Sequence, residues 1–335
     1  MDDRILVDNS PAVPGLVFRR FRGDSDYPHM AAVVAASAEA DHIERTDTPE
    51  TIAKNYQNLT NCDPYQDMLF AEVDGEVIGY ERGWWWDDSD EVRIYASVGF
   101  LSPGWRRKGI GGAMLGWVEE RLRQVAEGHP LGPKRYFQNY ATQFQPGNIA
   151  MLEGAGYTAM RHFYDMLRPT LEDIPNFPLP EGVQLRPVQP EHYPAIWASI
   201  HDVSREEWGY QPPSEADYRA WLEDERRFQP QLWQIAWDST GERVVGHVMT
   251  FIDYAENEKY KRKRGYTEGI GVDRAWRRRG LAKALIARSL QAQVDAGMLE
   301  SALAVDSENR DGATRLYESC GFQVVRRDAV YRKSL

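Results

Sequence analysis

The strongest chemical signal in the sequence is an arginine-rich turn, RAWRRRG at 274–280. A strand-like segment precedes it and an apolar-periodic helical segment starts at Leu281, so the pattern predicts a strand-to-helix turn. That helix is predicted to stop at Gly297, and its apolar face contains Leu285, Ile286, Leu290 and Val294. The first amides of a helix have no internal partners and carry the positive end of its dipole, which favours phosphate oxygens. Gly280 lets the backbone approach a ligand, and Ala282 keeps the next position small. Three arginines add positive charge for a diphosphate: Arg277, Arg278 and Arg279.

A second turn of the same kind occurs earlier in the chain, in PGWRRKGIGG. Its glycines are Gly109 and Gly111, and the following helix has a predicted apolar face. That face contains Met114, Leu115, Val118 and Leu122. The cationic residues of this turn are Arg106, Arg107 and Lys108. The sequence therefore allows two anion sites.

These turns belong to an internal duplication that extends along the chain. Gly79 and Gly246 lie in similar strand–turn–strand segments and are 167 residues apart, whereas Arg106 and Arg277 are 171 apart. The glycines that open the two copies, Gly15 and Gly182, are again separated by 167 residues. Each copy is predicted to fold as a strand, one or two helices, a strand meander, the turn, a helix and a closing strand–helix–strand. The fold class is α/β, with a mixed sheet in each of two tandem domains.

The prolines of RPTLEDIPNFPLPEGV oppose a continuous helix and favour an extended connector. The boundary between the two domains is therefore predicted within this segment. We predict an N-terminal domain at 1–169, a Pro-rich linker at 170–181 and a C-terminal domain at 182–335.

With these residues the chain resembles the GNAT acetyltransferases, whose signature is R/Q-x-x-G-x-G/A after a strand that ends in valine. The C-terminal turn fits with Val272 at the strand end, and the N-terminal turn has Leu101 in that place. The resemblance implies two tandem GNAT folds and acetyl-CoA as cosubstrate. It implies that the pyrophosphate is bound at Gly280, Leu281 and Ala282 in one copy and at the corresponding glycines in the other.

The resemblance continues into ALAVDSENRDGATRLYESCGF near the end of the chain. It implies that Asn309 hydrogen-bonds the coenzyme A arm and that Tyr317 is the general acid for the departing thiolate. A core tyrosine is the alternative for Tyr317. An amine also needs a base, and Glu268 is the candidate, beside glycines that indicate a strand bulge. The Val272 amide would then be an oxyanion donor.

Other interpretations stay open for several residues. A solvent-facing strand carboxylate is the alternative for Glu268, and the reserve candidates on the preceding strand are Asp253 and Tyr254. Trp208 and Tyr210 are expected in the acceptor wall. The run of Trp84, Trp85 and Trp86 is expected in a core or an interface. Cys320 has no accompanying histidine, so direct transfer is favoured over a thiol nucleophile.

The N-terminal copy lacks counterparts of the catalytic pair. Counting back 171 residues from Glu268 gives Ser97, and aligning the Gly-aromatic pairs places Leu152 where Tyr317 stands. Asn148 does not match the spacing of Asn309. The first copy is therefore predicted to be non-catalytic.

Composition limits the function further. The 335 residues carry a formal net charge of −11, which disfavours nucleic acid and anionic membranes as partners. With two cysteines, no apolar span and an acidic start, a cytoplasmic location is expected. No metal is expected, and the chain is expected to be a monomer with internal pseudo-symmetry or a homodimer.

The predicted function is acetyl transfer from acetyl-CoA to a primary amine of a small molecule. Two copies with the stronger signature in the second resemble the mycothiol synthase group within the GNAT family. Mycothiol synthase proper, another small amine and an antibiotic acceptor remain alternatives for this activity. Two further alternatives are a non-catalytic acetyl-CoA-binding or sensing protein and an aminoacyl transferase, although the intact turn and the negative charge oppose the latter.

Overall fold

The computed structural model describes residues 3–88, 91–309 and 312–335, and the chain divides into two compact units. Unit 1 contains Met1–Arg161 together with Asp328–Leu335, and unit 2 contains His162–Arg327. Each unit combines helices with a mixed sheet, so the predicted α/β class and the predicted duplication are confirmed.

Among the described residues of unit 1, the sheet has one parallel pair of neighbouring strands and the other pairs are antiparallel. Its elements up to the last helix are β1 (Arg4–Ile5), β2 (Leu16–Arg19), α1 (Tyr27–Ala40), α2 (Pro49–Tyr56), α3 (Pro64–Asp67), β3 (Met68–Val73), β4 (Glu76–Asp88), β5 (Val92–Leu101), α4 (Ile110–Glu127), β6 (Lys134–Thr142) and α5 (Pro146–Gly154). The strands follow one another in chain order from β1 to β6. The parallel pair is β5 with β6, and α4 connects these two strands.

Unit 2 repeats this arrangement. The remaining elements are β7 (Thr158–Arg168), β8 (Val183–Leu185), α6 (Tyr193–Ser204), α7 (Glu215–Leu222), β9 (Gln234–Asp238), β10 (Val244–Phe251), α8 (Tyr254–Tyr260), β11 (Arg264–Val272), α9 (Leu281–Asp295), β12 (Glu300–Asp306), α10 (Ala313–Ser319) and β13 (Gln323–Ser334). The strand order in unit 2 is β7, β12, β11, β10, β9, β8. Its parallel pair is β11 with β12, connected by α9.

The helices after the two turns bury the apolar faces that the sequence predicts. In α9, Leu285, Ile286 and Leu290 are fully buried, whereas Val294 in the last turn is exposed, so the predicted face ends one turn early. Gly297 follows with a positive φ, as its expected role as a stop requires. The predicted face of α4 is buried throughout: Met114, Leu115, Val118 and Leu122.

The parallel strands of unit 2 separate after a short paired region. β11 and β12 pair from Arg264 and Glu300 to Tyr266 and Ala302. Within residues 264–272 and 300–306, all of which the structure describes, no pairing follows, although both strands continue. Backbone groups on the facing edges beyond this point lack strand partners and are available to a ligand.

A buried polar network lies at the point where β11 and β12 stop pairing. Thr267 of β11 hydrogen-bonds Ser301 of β12 (2.9 Å) and Ser289 of α9 (3.1 Å). Ser289 also bonds Thr250 of β10 (2.6 Å), and Gln293 donates to the Thr267 hydroxyl (2.8 Å). All five residues are inaccessible to solvent. Because buried hydroxyls are costly to leave unpaired, the network holds three strands and one helix in a fixed arrangement.

The last strand of unit 1 comes from the C-terminal end of the chain. The second half of β13 pairs antiparallel with β6, from Asp328 opposite Thr142 to Ser334 opposite Tyr136. Tyr331 packs in the core of unit 1. In unit 2, β7 pairs with β12. The compact units therefore begin and end at residues other than the predicted domain limits.

The Pro-rich segment 170–181 is non-helical, as expected, and it packs on unit 2. Leu171 is buried in the core of that unit, and its amide donates to the Leu299 carbonyl (2.9 Å). Arg288 of α9 donates to the Phe177 carbonyl (3.2 Å). The segment is therefore part of unit 2. None of the helices in residues 3–88, 91–309 and 312–335 is long and apolar enough to cross a membrane.

The pairing of β13 with β6 leads to a prediction about the stability of unit 1. We expect Tyr331→Ala to destabilise unit 1 by about 3 kcal/mol, because it removes a buried ring from that core. Amide hydrogen exchange, followed by mass spectrometry, should show lost protection in β5 and β6 and unchanged protection in β10 and β11. Val325→Ala, which truncates an exposed side chain on the same strand, is the control. Loss confined to β10 and β11 would contradict this assignment of the strand.

Candidate active site

The turn in unit 2 has the conformation that an anion site requires. A short 3₁₀ turn, Arg274–Trp276, leads into Arg278 and Gly280, whose φ angles are +62° and +85°. Gly280 is the N-cap of α9, so the unpaired first amides of that helix follow it directly. A Cβ atom added to Gly280 would meet no atom within 4 Å. The predicted strand-to-helix turn is confirmed, and the space beside its glycine is open.

The turn in unit 1 has the same backbone but less space. Arg107 and Gly109 have φ angles of +62° and +84°. A Cβ on Gly109 would lie 3.3 Å from a side-chain atom of Pro11, and one on Gly111 would lie 3.2 Å from the Met151 sulfur. The N-terminal segment and α5 therefore come close to the turn at which unit 1 would bind a phosphate.

The first arginine of each motif is held by protein groups. Arg277 donates to the Val272 carbonyl (3.2 Å) and to Glu206 (2.8 Å), and the bond to Glu206 holds the pKa of that carboxyl below its usual value. Arg106 likewise donates to the Leu101 carbonyl (3.1 Å) and to Asp41 (3.0 Å). These two arginines therefore fasten the turn to the preceding strand. Their predicted contact with the cofactor stays a prediction.

The other cations of the motif are more accessible. Arg278 and Arg279 are exposed, and the Arg279 guanidinium lies 5.0 Å from the centre of the Trp276 ring. In unit 1, Arg107 and Lys108 are also exposed. Exposed guanidinium groups beside a helix N-terminus suit the outer oxygens of a diphosphate.

Glu268 lies at a bulge in β11, as the neighbouring glycines predicted. Met249 of β10 is opposite Glu268, but His247, two residues earlier, is opposite Gly271, so β11 contains one extra residue. Gly269 within the bulge has a φ of +54°. Burial raises the pKa of the Glu268 carboxyl above its usual range, and the nearby Arg227 opposes that shift. The carboxylate of Glu268 is therefore a stronger base than an exposed glutamate.

Tyr317 lies on α10 and is 7% exposed. It belongs to the same apolar cluster as Val272 at the end of β11, Leu281 at the start of α9 and Val305 of β12. The structure thus brings Tyr317 together with the end of the separated strands. Burial raises the pKa of the Tyr317 phenol, with a smaller contribution from Glu207, so the group stays protonated at neutral pH.

Asn309 occupies the turn between β12 and α10. Its backbone amide donates to the Asp306 carbonyl (3.2 Å), and its own carbonyl accepts from the Gly312 amide (3.3 Å). The residue is exposed beyond the carboxyl end of β12. Its predicted bond to the coenzyme A arm stays a prediction.

The two reserve candidates for the base, Asp253 and Tyr254, lie in surroundings that differ from those of Glu268. Asp253 is the N-cap of α8, where it accepts from the Glu256 amide (2.8 Å) and pairs with Arg226. Tyr254 is 63% exposed. Trp208, expected in the acceptor wall, has its ring centre 6.3 Å from that of Phe163 in unit 2. Because Asp253 is engaged by a cap and an ion pair, Glu268 remains the better base.

The counterpart of Glu268 in unit 1 is Val98, and the expected Ser97 is wrong. Val98 is opposite Arg82 in the regular ladder of β4 and β5, at the place where unit 2 has Glu268 opposite Met249. A constant spacing of 171 fails because the bulge adds one residue to β11. Ser97 instead occupies the place of a buried threonine and accepts a hydrogen bond from Asn139 (2.9 Å).

The prediction that Leu152 occupies the position of Tyr317 in unit 1 is confirmed. The amide of Tyr157 donates to the Leu152 carbonyl (3.0 Å), as the amide of Phe322 donates to the Tyr317 carbonyl (3.1 Å). Leu152 is fully buried in the core of unit 1. Unit 1 therefore has neither a carboxylate nor a phenol at the two positions.

Sequence reasoning did not identify His247 or Arg227, which lie near the bulge. A signal for His247 was present in Gly271, because a glycine beside a bulge often accommodates a large neighbour on the adjacent strand. The signal for Arg227 was absent, because it lies in a loop and approaches Glu268 only in the folded unit.

The model of the acetyltransferase (GNAT) family matches residues 34–130 and 197–322, which together make up more than half of the chain. The chain belongs to the GNAT family. It is an acyl-CoA-dependent N-acyltransferase with two GNAT regions, as the sequence predicted. GNAT enzymes generally use acetyl-CoA.

Several known proteins are similar to this chain over most of its length. The chain is 29% identical over 314 residues to a mycothiol acetyltransferase of Thermobispora bispora, covering 92% of this chain and 96% of the relative. It is 27% identical to that of Salinispora arenicola, covering 85% and 94%. A GCN5-related N-acetyltransferase from Sphaerobacter thermophilus superposes with a TM-score of 0.73 at 26% identity, covering 95% of both chains. A tandem GNAT protein of the clavulanic acid biosynthesis pathway shares the fold, with a TM-score of 0.66 at 15% identity and coverage of 95% and 98%.

The difference between the two turns gives a binding prediction. We expect Gly280→Val to weaken acetyl-CoA binding by about tenfold or more, because the side chain would fill the open space beside the α9 amides and strain a positive φ. The matched variant Gly109→Val should leave that affinity unchanged. Isothermal titration calorimetry on folded variants measures both. A loss of affinity only in Gly109→Val would assign cofactor binding to unit 1.

Proposed function

We propose that unit 2 transfers the acetyl group of acetyl-CoA directly to a primary amine of a small molecule. The observation that carries the proposal is the position of Glu268, a half-buried carboxylate with a raised pKa, at the β11 bulge where β11 and β12 have separated. The open turn at Gly280 lies in the same unit, between the C-terminal end of β11 and the start of α9. A pantetheine arm that leads from that turn into the gap would bring a thioester to the bulge.

The reaction begins with proton removal from the acceptor. An ammonium has no lone pair, so Glu268 takes one proton, directly or through water, and the amine then attacks the thioester carbonyl carbon. A carbon–nitrogen bond forms, and the carbonyl oxygen becomes an oxyanion, which we assign to the Val272 amide. The raised pKa of Glu268 suits this role, because a base works best when its pKa lies near the working pH.

Collapse of the tetrahedral intermediate completes the transfer. The oxyanion re-forms the carbonyl, the carbon–sulfur bond breaks, and the sulfur leaves as a thiolate that takes a proton from Tyr317. The nitrogen still carries one extra proton, which it releases to water, and water returns a proton to the Tyr317 phenolate. The raised pKa of Tyr317 keeps a proton available for this step. The products are coenzyme A and an N-acetylated acceptor.

The acceptor is proposed on the strength of the relatives. Mycothiol acetyltransferases resemble this chain over most of its length. The resemblance to the mycothiol synthase group implies the cysteinyl amine of a sugar-linked thiol as acceptor, so this amine is the first acceptor to test. A screen of primary amines that monitors free thiol release from acetyl-CoA tests the function itself. Thiol release that depends on no amine would contradict the proposal and favour a binding or hydrolytic role.

We propose that unit 1 is non-catalytic. Val98 and Leu152 replace the base and the acid, and β4 and β5 pair without a register shift from Gly79 and Leu101 to Asp88 and Val92. Pro11 and Met151 lie close to its turn. A structural role for this unit is supported by these differences together.

The role of Glu268 predicts a pH dependence. Because the base must be deprotonated and its pKa is raised, wild-type kcat/KM should fall on the acid side at a higher pH than an exposed glutamate would give. Glu268→Gln should lower kcat/KM by about 100-fold at neutral pH and by less at alkaline pH, where the free amine is abundant. The control is Asp253→Asn, which alters the reserve candidate. A mutant profile identical to wild type would exclude Glu268 as the base.

The role of Tyr317 predicts a different effect. Tyr317→Phe should lower kcat by about tenfold or more with little change in the acetyl-CoA dissociation constant, since the lost hydrogen bond acts mainly as the thiolate leaves. Single-turnover rates at saturating substrates measure the chemical step. Tyr254→Phe, at an exposed tyrosine, is the control. An unchanged chemical step in Tyr317→Phe would show that this phenol is a core residue only.

A further inference from the structure

A buried histidine faces the β11 bulge from the neighbouring strand. His247 of β10 is 2% exposed and lies directly opposite Gly271. A hydrogen bond of 3.2 Å joins its Nδ1 atom to the hydroxyl of Ser199 on α6. Burial lowers the pKa of His247 to about 4, so the imidazole is neutral at neutral pH. The proposed chemical steps do not use this ring.

The other end of the ring lies against the bulge itself. A Cβ atom on Gly271 would lie 2.3 Å from the His247 Nε2 atom, so only glycine leaves room for the imidazole here. On the opposite side of the bulge, Gly269 has a positive φ, and a Cβ added there would lie 2.6 Å from the Met249 side chain. Side chains of β10 therefore pack closely on two glycines of the bulge.

Unit 1 shows what the same position looks like without a bulge. Tyr80 and Phe100 are directly opposite each other there, and their ring centres are 5.4 Å apart. The ladder around them is regular from Gly79 opposite Leu101 onward. Unit 2 has Glu268, the bulge and the pair of His247 with Gly271. Unit 1 has two aromatic rings at the corresponding positions, on strands that pair regularly.

We propose that His247 is a positioning residue for acetyl transfer, which keeps the bulge in the conformation that directs its backbone amides and Glu268 toward the reacting thioester. The Nε2 side of the imidazole fills the space over Gly271, and the Nδ1 side ties the bulge to Ser199 of α6. This inference rests on the proposed function of unit 2. His247 acts through the backbone of β11 and touches neither substrate.

The test is a double-mutant cycle between His247 and Gly271. Gly271→Ala alone should lower kcat by about tenfold or more, because the added methyl group displaces the ring and with it the bulge. His247→Ala alone should lower kcat to a similar extent. In the double variant the methyl group occupies space that the ring has left, so the loss should be clearly smaller than the product of the two single effects. Multiplicative losses would overturn the proposal.

Conservative variants separate the two ends of the imidazole. His247→Gln can place an amide near Gly271 and should recover part of the lost kcat, whereas His247→Asn can reach only Ser199 and should not. Acetyl-CoA affinity should change little in both, since the phosphate turn lies outside the bulge. Equal loss in both variants, or an increase in KM for acetyl-CoA without a change in kcat, would contradict a positioning role at the bulge.

A readout independent of catalysis distinguishes this inference from the proposed function. Amide hydrogen exchange of the peptide that covers 266–273 should accelerate in His247→Ala and approach wild type again in the double variant. Tyr80→Ala, the matched change in unit 1, should leave exchange in that peptide and kcat unchanged. If wild type transfers no acetyl group, the proposed function fails, and exchange alone still decides whether His247 holds the bulge. Unchanged exchange in His247→Ala would overturn the inference.

Discussion

The separation of two parallel strands is the constraint on which the site depends. β11 and β12 pair only as far as Tyr266 and Ala302, and the network around Thr267 fixes them at that point. Beyond it, the strands carry backbone groups that no neighbouring strand satisfies, so a ligand can take the place of a strand partner. The bulge then lies within the separated part of β11, and α9 starts where that strand ends. β11 and its separation from β12 therefore determine where the base, the oxyanion donor and the phosphate turn lie.

The two units show how one fold is used differently after duplication. Both keep the turn with two positive φ angles and the arginine that fastens it to the preceding strand. In unit 2, β11 contains one extra residue next to Glu268, a carboxylate of raised pKa, whereas β4 and β5 of unit 1 pair without a register shift from Gly79 and Leu101 to Asp88 and Val92. The bulge follows Glu268 on β11, so Glu268 keeps the ladder position that Val98 has in unit 1. The chemical difference between the units is therefore a carboxylate in place of a valine, together with a bulge beside it that changes the direction of the backbone.

Much of this could be predicted from sequence, because the signals were local. The turns, the helix faces and the glycine bulge each depend on residues within a few positions, and the structure confirmed them, except that Val294 at the end of α9 is exposed. The origin of the last strand of unit 1 could not be predicted, because pairing of β13 with β6 joins segments far apart in the chain. The ion pair of Arg277 with Glu206 spans 71 residues and was missed for the same reason. The assignment of Ser97 failed because a constant spacing cannot include a bulge whose position is known only from the register of the strands.

The central claim is that the acetyl group reacts in the gap between β11 and β12, and a crystal structure of the protein with acetyl-CoA tests it most directly. The account predicts the pyrophosphate on the first amides of α9, the thioester between the two strands, its carbonyl oxygen within hydrogen-bond distance of a β11 amide, and its sulfur near the Tyr317 hydroxyl. A thioester bound only in unit 1, or one in unit 2 distant from both Glu268 and Tyr317, would contradict it.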